Sequence, residues 1–305
     1  MNHPLLFRGL AACFFLAVFS ASAATRTWNG SASAYWTNLA NWQGGVLPGS
    51  GDDVVFPDSA TRKTVTNTMD TPALHSVTFS GSNYVLQGAG GVYLVITNRL
   101  QSQAPGTNSV RHRMFLINNT TIENSLAGSV FDLKSHLPAG SSTNMINIAS
   151  DNTFTGAGDI VLTHMRLAAS QSQSLIKSGS GTLFFSGTAS DWTGGFYVNG
   201  GRLELQSGLL DPGNVIVSSN GVFAGNGSVF TAYLHATGVI EPGRGSGLNV
   251  NNEFIFDQDS IMRIPFGMNS SPTAGKVDLN GQTSASDMRV GLELFATERD
   301  RKSVV

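Results

Sequence analysis

Apolar and polar residues alternate in short runs along most of this chain, and glycine, serine and asparagine separate the runs. The pattern is cleanest over residues 174–208. There Leu203 and Leu205 take one side of a strand, and Arg202, Glu204 and Gln206 take the other. Phe196 and Val198 do the same ahead of Asn199-Gly200-Gly201, and Leu183 and Phe185 do it again with Phe184 on the opposite side. None of these runs is long enough for a helix. Strands this short cannot bury a face alone, so each needs neighbours of its own kind above and below.

The same reading predicts strands at 54–56, 64–66, 76–80, 84–86 and 92–97, a loop over 101–108 around Pro105-Gly106, and strands again at 114–117, 121–123, 130–133, 145–148, 159–163 and 165–168. Beyond residue 208, short strands and small-residue turns continue through 214–243. They resume at 248–250, 253–256, 261–264, 276–279 and 288–294. Residues 35–41 are the one stretch of the mature chain that suits a helical turn. Turn signals every eight to twelve residues or so, without helices, leave a sandwich, a barrel or a solenoid. Asn152-Thr153-Phe154-Thr155-Gly156 echoes Asp191-Trp192-Thr193-Gly194, which suggests a degenerate copy ahead of the strong one. Internal copying favours the solenoid.

The strong segment resembles a known family. Leu175, Lys177, Gly179, Gly181-Thr182-Leu183, Ser186-Gly187, Trp192-Thr193-Gly194, Val198, Asn199-Gly200-Gly201, Leu203 and Leu205 stand in the order and spacing of the autotransporter-associated β-strand repeat, also called the passenger-associated transport repeat. Trp192 stands where that family usually has Tyr or Phe, and Phe196 where it usually has Thr. The opening Gly51-Asp52-Asp53-Val54-Val55-Phe56 is similar to the usual start of proteins that carry the repeat, and Ile240-Glu241-Pro242-Gly243 resembles the corner that commonly follows it. The resemblance implies an all-β, right-handed, single-stranded parallel β-helix. It also implies an exported or surface protein of a Gram-negative-type bacterium, with the repeat supporting passage through the outer membrane.

Residues 1–23 read as a secretory signal peptide. Arg8 supplies the positive region, residues 10–19 the apolar run, and Ala21-Ser22-Ala23 the small-x-small pattern that places cleavage between Ala23 and Ala24. The run is too short to span a bilayer. Leu10-Ala11-Ala12-Cys13 also fits a lipoprotein box, but the apolar run mostly follows Cys13 instead of preceding it. Cys13 is the sole cysteine, so cleavage at Ala23 leaves a mature chain without thiol or disulfide chemistry. Residues 24–53 hold Trp28, Trp36 and Trp42 and read as an N-terminal Trp-rich cap over the first rung. An exposed sugar-binding aromatic patch is the alternative. Residues 54–297 form the β-helix proper. Residues 298–305 break the pattern with a charge run and read as a non-native tail, so the natural chain is expected to continue past about Thr297.

The net charge of −2 with 12% charged residues provides no clustered Lys and Arg for nucleic acid and no pull toward anionic lipid. At 41% apolar residues the chain is not of disordered composition. Parallel β-helices can carry polysaccharide lyases and glycosidases, which need carboxylates gathered on one face, about 5–9.5 Å apart for hydrolysis. Here the carboxylates are scattered. Asp52-Asp53 is the one adjacent pair and belongs to the opening segment. Asp257 and Asp259 lie two apart on one strand face and could hold Ca²⁺ weakly, although a solvated face explains them as well. His75, His112, His136, His164 and His235 show no metal-ligand spacing. There is no G-x-S-x-G elbow, and residues 88–91 lack the Lys and strand–helix context of a phosphate loop. No catalytic, cofactor-binding or metal residue is assigned, and no cofactor is expected. The function expected is that of a non-enzymatic exported passenger-type protein, whose partners would be surface glycans or other cells. The translocating barrel is not visible in this chain. The alternatives are an adhesin or glycan binder using Trp192, Tyr197 and Tyr233, and, less favoured, a polysaccharide lyase or hydrolase.

Overall fold

The computed structural model describes residues 23–89, 91–134, 145–168, 173–188, 194–206, 209–235, 237–243, 247–257, 259–266, 277–279, 282–284 and 291–296. The expected leader with Cys13, Trp192 and the tail 298–305 lie outside the described residues.

The chain winds as a parallel β-solenoid with three strand-bearing faces per turn. The first face runs through Asp53–Phe56, Leu74–Phe79 and Tyr93–Ser102 to Thr121–Asn124, Asn152–Gly156, Leu175–Lys177 and Gly195–Val198, each parallel to the next. The second face stacks Thr64–Asn67, Val85–Gly88, Thr107–Arg111, Val130–Lys134, Asp159–Ala168, Thr182–Thr188, Gly201–Leu205 and Gly221–Gly225. On the third, Tyr93–Ser102, Arg113–Leu116 and Met145–Ile148 pair in sequence. Long strands such as Tyr93–Ser102 and Asp159–Ala168 bend across two faces. Among the described residues the helical pieces are two single 3₁₀ turns, Leu39–Asn41 and Gln43–Gly45. The first of these closes the stretch expected to form a helical turn.

Alternation becomes columns when turns stack in register. On the second face one inward column is Val65, Leu86, Val110, Leu133, Leu162, Phe185 and Leu205, each directly beside the next and fully buried. Beside it run Phe131, Ile160, Leu183, Leu203, Phe223 and Ile240. Each such side chain contributes roughly 1.5–3 kcal/mol by leaving water, and the backbone groups of each strand pair with turns on both sides.

Two expectations about corners and loops are corrected. Residues 107–111 form a strand rather than part of a loop. One of its two inward positions is Asn108, fully buried, whose Oδ1 accepts from Tyr84 N at 2.8 Å and whose Nδ2 donates to Gly81 O at 3.1 Å and Ser102 Oγ at 3.0 Å. A satisfied asparagine fills an apolar slot and hides the strand's alternation. The segment expected as a degenerate repeat copy is also out of phase. Asn152 lies beside Leu175, which lies beside Phe196, so Asn152–Phe154 corresponds to Phe196–Val198 and not to Asp191–Thr193.

The first rung is closed by the three tryptophans, all at most 1% exposed. Trp28 and Trp36 both meet Trp42 edge-on, with ring centroids 5.2 and 4.8 Å away, and Phe56 packs beneath. Trp28 Nε1 donates to Arg62 O at 2.8 Å and Trp42 Nε1 to Trp36 O at 2.7 Å. The rings are therefore committed to the core, and an exposed sugar-binding patch cannot be built from them. Sheet edges are covered as well. Thr25–Thr27 pairs with Asp53–Phe56, and Trp36 N and Ala34 O bond to Thr66, so the first two faces do not end on open ladders.

Candidate functional site

The strong repeat occupies one and a half turns and pairs with itself. Leu175, Ile176 and Lys177 lie beside Phe196, Tyr197 and Val198, and Thr182 to Phe185 lie beside Arg202 to Leu205. Leu175, Leu183, Val198, Leu203 and Leu205 are fully buried. Gly194 is buried ahead of Gly195–Val198, and Gly187 lies at the bend to the third face. Between the first and second faces the chain turns on glycine. Gly179 and Gly201 have φ of 73° and 62°, the left-handed region where a Cβ is costly. Gly181 is fixed by crowding: a Cβ there would fall 2.1 Å from Gly158 O. Gly200, beside Gly201, does not have a positive φ. At the same corners Asn199 Oδ1 accepts from Ser218 Oγ of the next turn at 3.0 Å, and Asn220 takes a φ of 76°.

Lys177 stands in an apolar column. Its neighbours are Phe154 on one turn and Val198 on the next, and it is only 2% exposed. Its Nζ donates to Ser178 O at 2.6 Å, Gly179 O at 3.0 Å and Gly200 O at 3.2 Å. One ammonium therefore ties the glycine corners of two consecutive turns through carbonyls. Burial pushes this lysine down to about 8 from an ordinary 10.5, and the Asp159 carboxylate pulls the other way. Lys177→Met should cost about 2–3 kcal/mol, because buried carbonyls lose their donor. The pH dependence has a definite sign. Between about pH 8 and 10.5 the unfolded chain holds a proton that the native chain has released, so the contribution of Lys177 to stability rises with pH. Urea unfolding of both proteins at pH 7.5 and 10 should show a gap that widens at the higher pH. A gap that narrows contradicts this balance.

Residues 175–205 match the family model described as passenger-associated-transport-repeat. No curated protein matches the chain. The repeat match and the parallel solenoid together fit a passenger-type protein of the autotransporter kind, and such repeats point to secreted or surface-exposed proteins of Gram-negative bacteria.

Other charged groups pair between turns. Asp52 and Asp53 point to opposite sides. Asp52 takes Arg26 Nε at 2.7 Å, whereas Asp53 Oδ1 meets His75 Nδ1 at 2.8 Å and accepts from Ser76 Oγ. His235 Nδ1 and Tyr233 OH both bond Asp257, at 2.8 and 3.0 Å. Asp257 and Asp259 do not share a strand face, since the strand ends at Phe256 and Asp259 has a φ of 64° in the turn. Among the described residues no three His, Cys, Asp or Glu gather as metal ligands. His112 is buried, with Nδ1 on Arg113 O at 2.9 Å and Nε2 facing Asn67 Nδ2 at 3.2 Å. His136 lies outside the described residues.

Sequence reasoning missed one surface feature. On the third face, Tyr93, Val95, Phe115, Asn147 and the neighbouring Asp70 line an open groove of about 320 Å³. Phe115 is 36% exposed. Arg113 stacks 4.1 Å over the Tyr93 ring and donates to Gly91 O at 2.8 Å and to the Tyr93 hydroxyl, so this aromatic face is held rigid. The available signal was one-turn spacing: Val95, Phe115 and Asn147 are successive outward positions of one column.

Proposed function

We propose that this chain is the passenger-type portion of an exported, non-enzymatic bacterial surface protein, and that the repeat supports transport and stacking at the cell surface. The observation that supports it most is the self-pairing of the matched segment. Residues 175–205 form a unit whose second half lies on its first, so each turn that emerges has a template waiting. A turn that folds outside the membrane and pairs at once opposes backsliding. Such a protein needs an outer-membrane conduit. Expressing the complete gene in a Gram-negative host and treating intact cells with protease is the direct test. The solenoid should be cleaved or released from outside. Full protection in intact cells, with cleavage only after lysis, would overturn the reading. A polysaccharide screen that found turnover would replace it with an enzyme.

The groove at Tyr93 and Phe115 favours a second reading, in which the lateral face binds glycans. Two aromatic faces suit the C–H face of a sugar ring, while Asp70 and Asn147 provide hydrogen-bonding groups for hydroxyls. Tyr197 is exposed, and Tyr233 is engaged with Asp257. On a glycan array, Tyr93→Ala or Phe115→Ala should lose about tenfold or more of any bound signal, on the order of 1.4 kcal/mol. Binding that survives both substitutions moves the site elsewhere.

A further inference from the structure

The backbone at Ala24 meets an unusual acceptor. Asp52, only 7% exposed, lies one turn beyond residue 24. Its Oδ1 accepts from Ala24 N at 3.1 Å, and its Oδ2 accepts from Arg26 Nε at 2.7 Å and Gly49 N at 2.8 Å. Asp53 N donates to Ala24 O at 2.9 Å. Ala24 is thus gripped at both its nitrogen and its carbonyl, whereas Ala23 is exposed. Ala24 directly follows the small-x-small cleavage pattern at residues 21–23.

We propose that Asp52 is the receiving carboxylate for the α-ammonium that leader cleavage creates at Ala24, so that processing completes the cap. The inference rests on the exported-protein reading. Hydrolysis by a leader peptidase adds one water across the Ala23–Ala24 bond. Ala23 leaves with a carboxylate, and Ala24 keeps the amine, which takes up a proton. The nitrogen that donated one amide hydrogen then carries a full positive charge beside Asp52. Burial works against the Asp52 carboxylate, but Arg26 and the backbone donors Gly49 and Ala24 outweigh it and hold the carboxyl below its ordinary value. The other ionisable groups nearby are spoken for, since Asp53 faces His75. Cleavage precedes docking in this scheme, because a docked Ala24 already spends its N–H on Asp52 and its carbonyl on Asp53 N, which leaves neither free to pair with a peptidase cleft. An uncut leader would leave the carboxylate with an uncharged amide, and the cap would lack one ion pair.

The test is to export the full chain and measure the intact mass and the α-amine titration of the product, by the pH dependence of amine acylation at the N-terminal peptide. The mature chain should begin at Ala24. Its α-amine should titrate about one to two units above the ordinary ~7.7–8.0. Asp52→Asn should return it to that range. Arg26→Gln, which keeps the carboxylate and removes its competitor, should raise the amine further, and it serves if Asp52→Asn fails to fold. A mature chain beginning elsewhere overturns the cleavage site. A start at Ala24 with an α-amine that ignores both substitutions leaves cleavage standing and overturns the role of Asp52.

Discussion

Leu203→Asp should unfold the matched repeat, while Glu204→Lys, one residue along, should leave it standing. Leu203 is fully buried between Leu183 on one turn and Phe223 on the next. A carboxylate there is either charged in an apolar column or protonated against its own preference. Adding the lost burial of about 1.5–3 kcal/mol brings the cost to more than about 4 kcal/mol. Glu204 points outward and pairs with Arg202 Nε at 2.8 Å, both partly exposed. Reversing its charge sets two cations side by side, but Arg202 keeps Glu241, which also holds Arg263 Nη1 at 3.3 Å. An exposed pair of this kind is worth less than about 1 kcal/mol. Each turn contacts only its neighbours, so the damage should remain local. Limited proteolysis should cut Leu203→Asp between about residues 175 and 225 while the cap resists. Coincident urea curves for the two variants would refute the facing assigned to this strand.

Much of this architecture can be read from the alternation itself. Where inward positions are Leu, Val, Ile or Phe and corners are glycine, as in residues 182–205, side and turn follow directly from the residue types. The alternation fails where a buried position is polar but satisfied. Asn108 turned a strand into an apparent loop because its three hydrogen-bonding partners, not its own polarity, make it fit. It fails again where phase depends on turn length. Phe184 lies beside Glu204, Ser109 beside Asp132 and Asp132 beside Val161, so a turn takes 20, 23 or 29 residues. No single period could align residues 152–156 with the right part of the repeat.

The polar contacts were legible only in part, for the same reason. The pairs His75–Asp53 and His235–Asp257 each bridge adjacent turns, 22 residues apart. A search at one-turn spacing finds them, whereas a search for local motifs does not. Lys177 stood in plain view as a repeat residue. Its role depends on Gly200 O from the following turn, which only the stack brings within 3.2 Å. The groove at Tyr93 and Phe115 has the same character, because its walls come from four turns. What a local pattern cannot carry is chemistry assembled across turns.

The sharpest consequence of that cross-turn assembly is a pair of adjacent glycines with opposite expected fates. Gly201→Ala should destabilise the repeat by about 3–5 kcal/mol, and Gly200→Ala should stay within about 0.5 kcal/mol of the parent. At Gly201 φ is 62°, which costs any other L-residue about 1–2 kcal/mol. A Cβ there also falls 2.4 Å from Gly179 O, 2.6 Å from Gly181 O and 2.8 Å from Lys177 Nζ. Those carbonyls cannot retreat freely, since Gly179 O is held by Lys177 and Gly181 O receives Arg202 N. Moving either one loosens the lysine cage as well as the ladder. At Gly200 the nearest atoms to a Cβ are 3.6 and 3.7 Å away, which is ordinary contact. Differential scanning calorimetry of the two variants should separate them clearly. Combining Gly201→Ala with Lys177→Met should cost less than the sum of the two, because the first substitution already disrupts the contacts the second removes. Full additivity would mean that the corner and the buried ammonium are independent. Equal melting temperatures for Gly200→Ala and Gly201→Ala would mean that this corner does not hold the turns together.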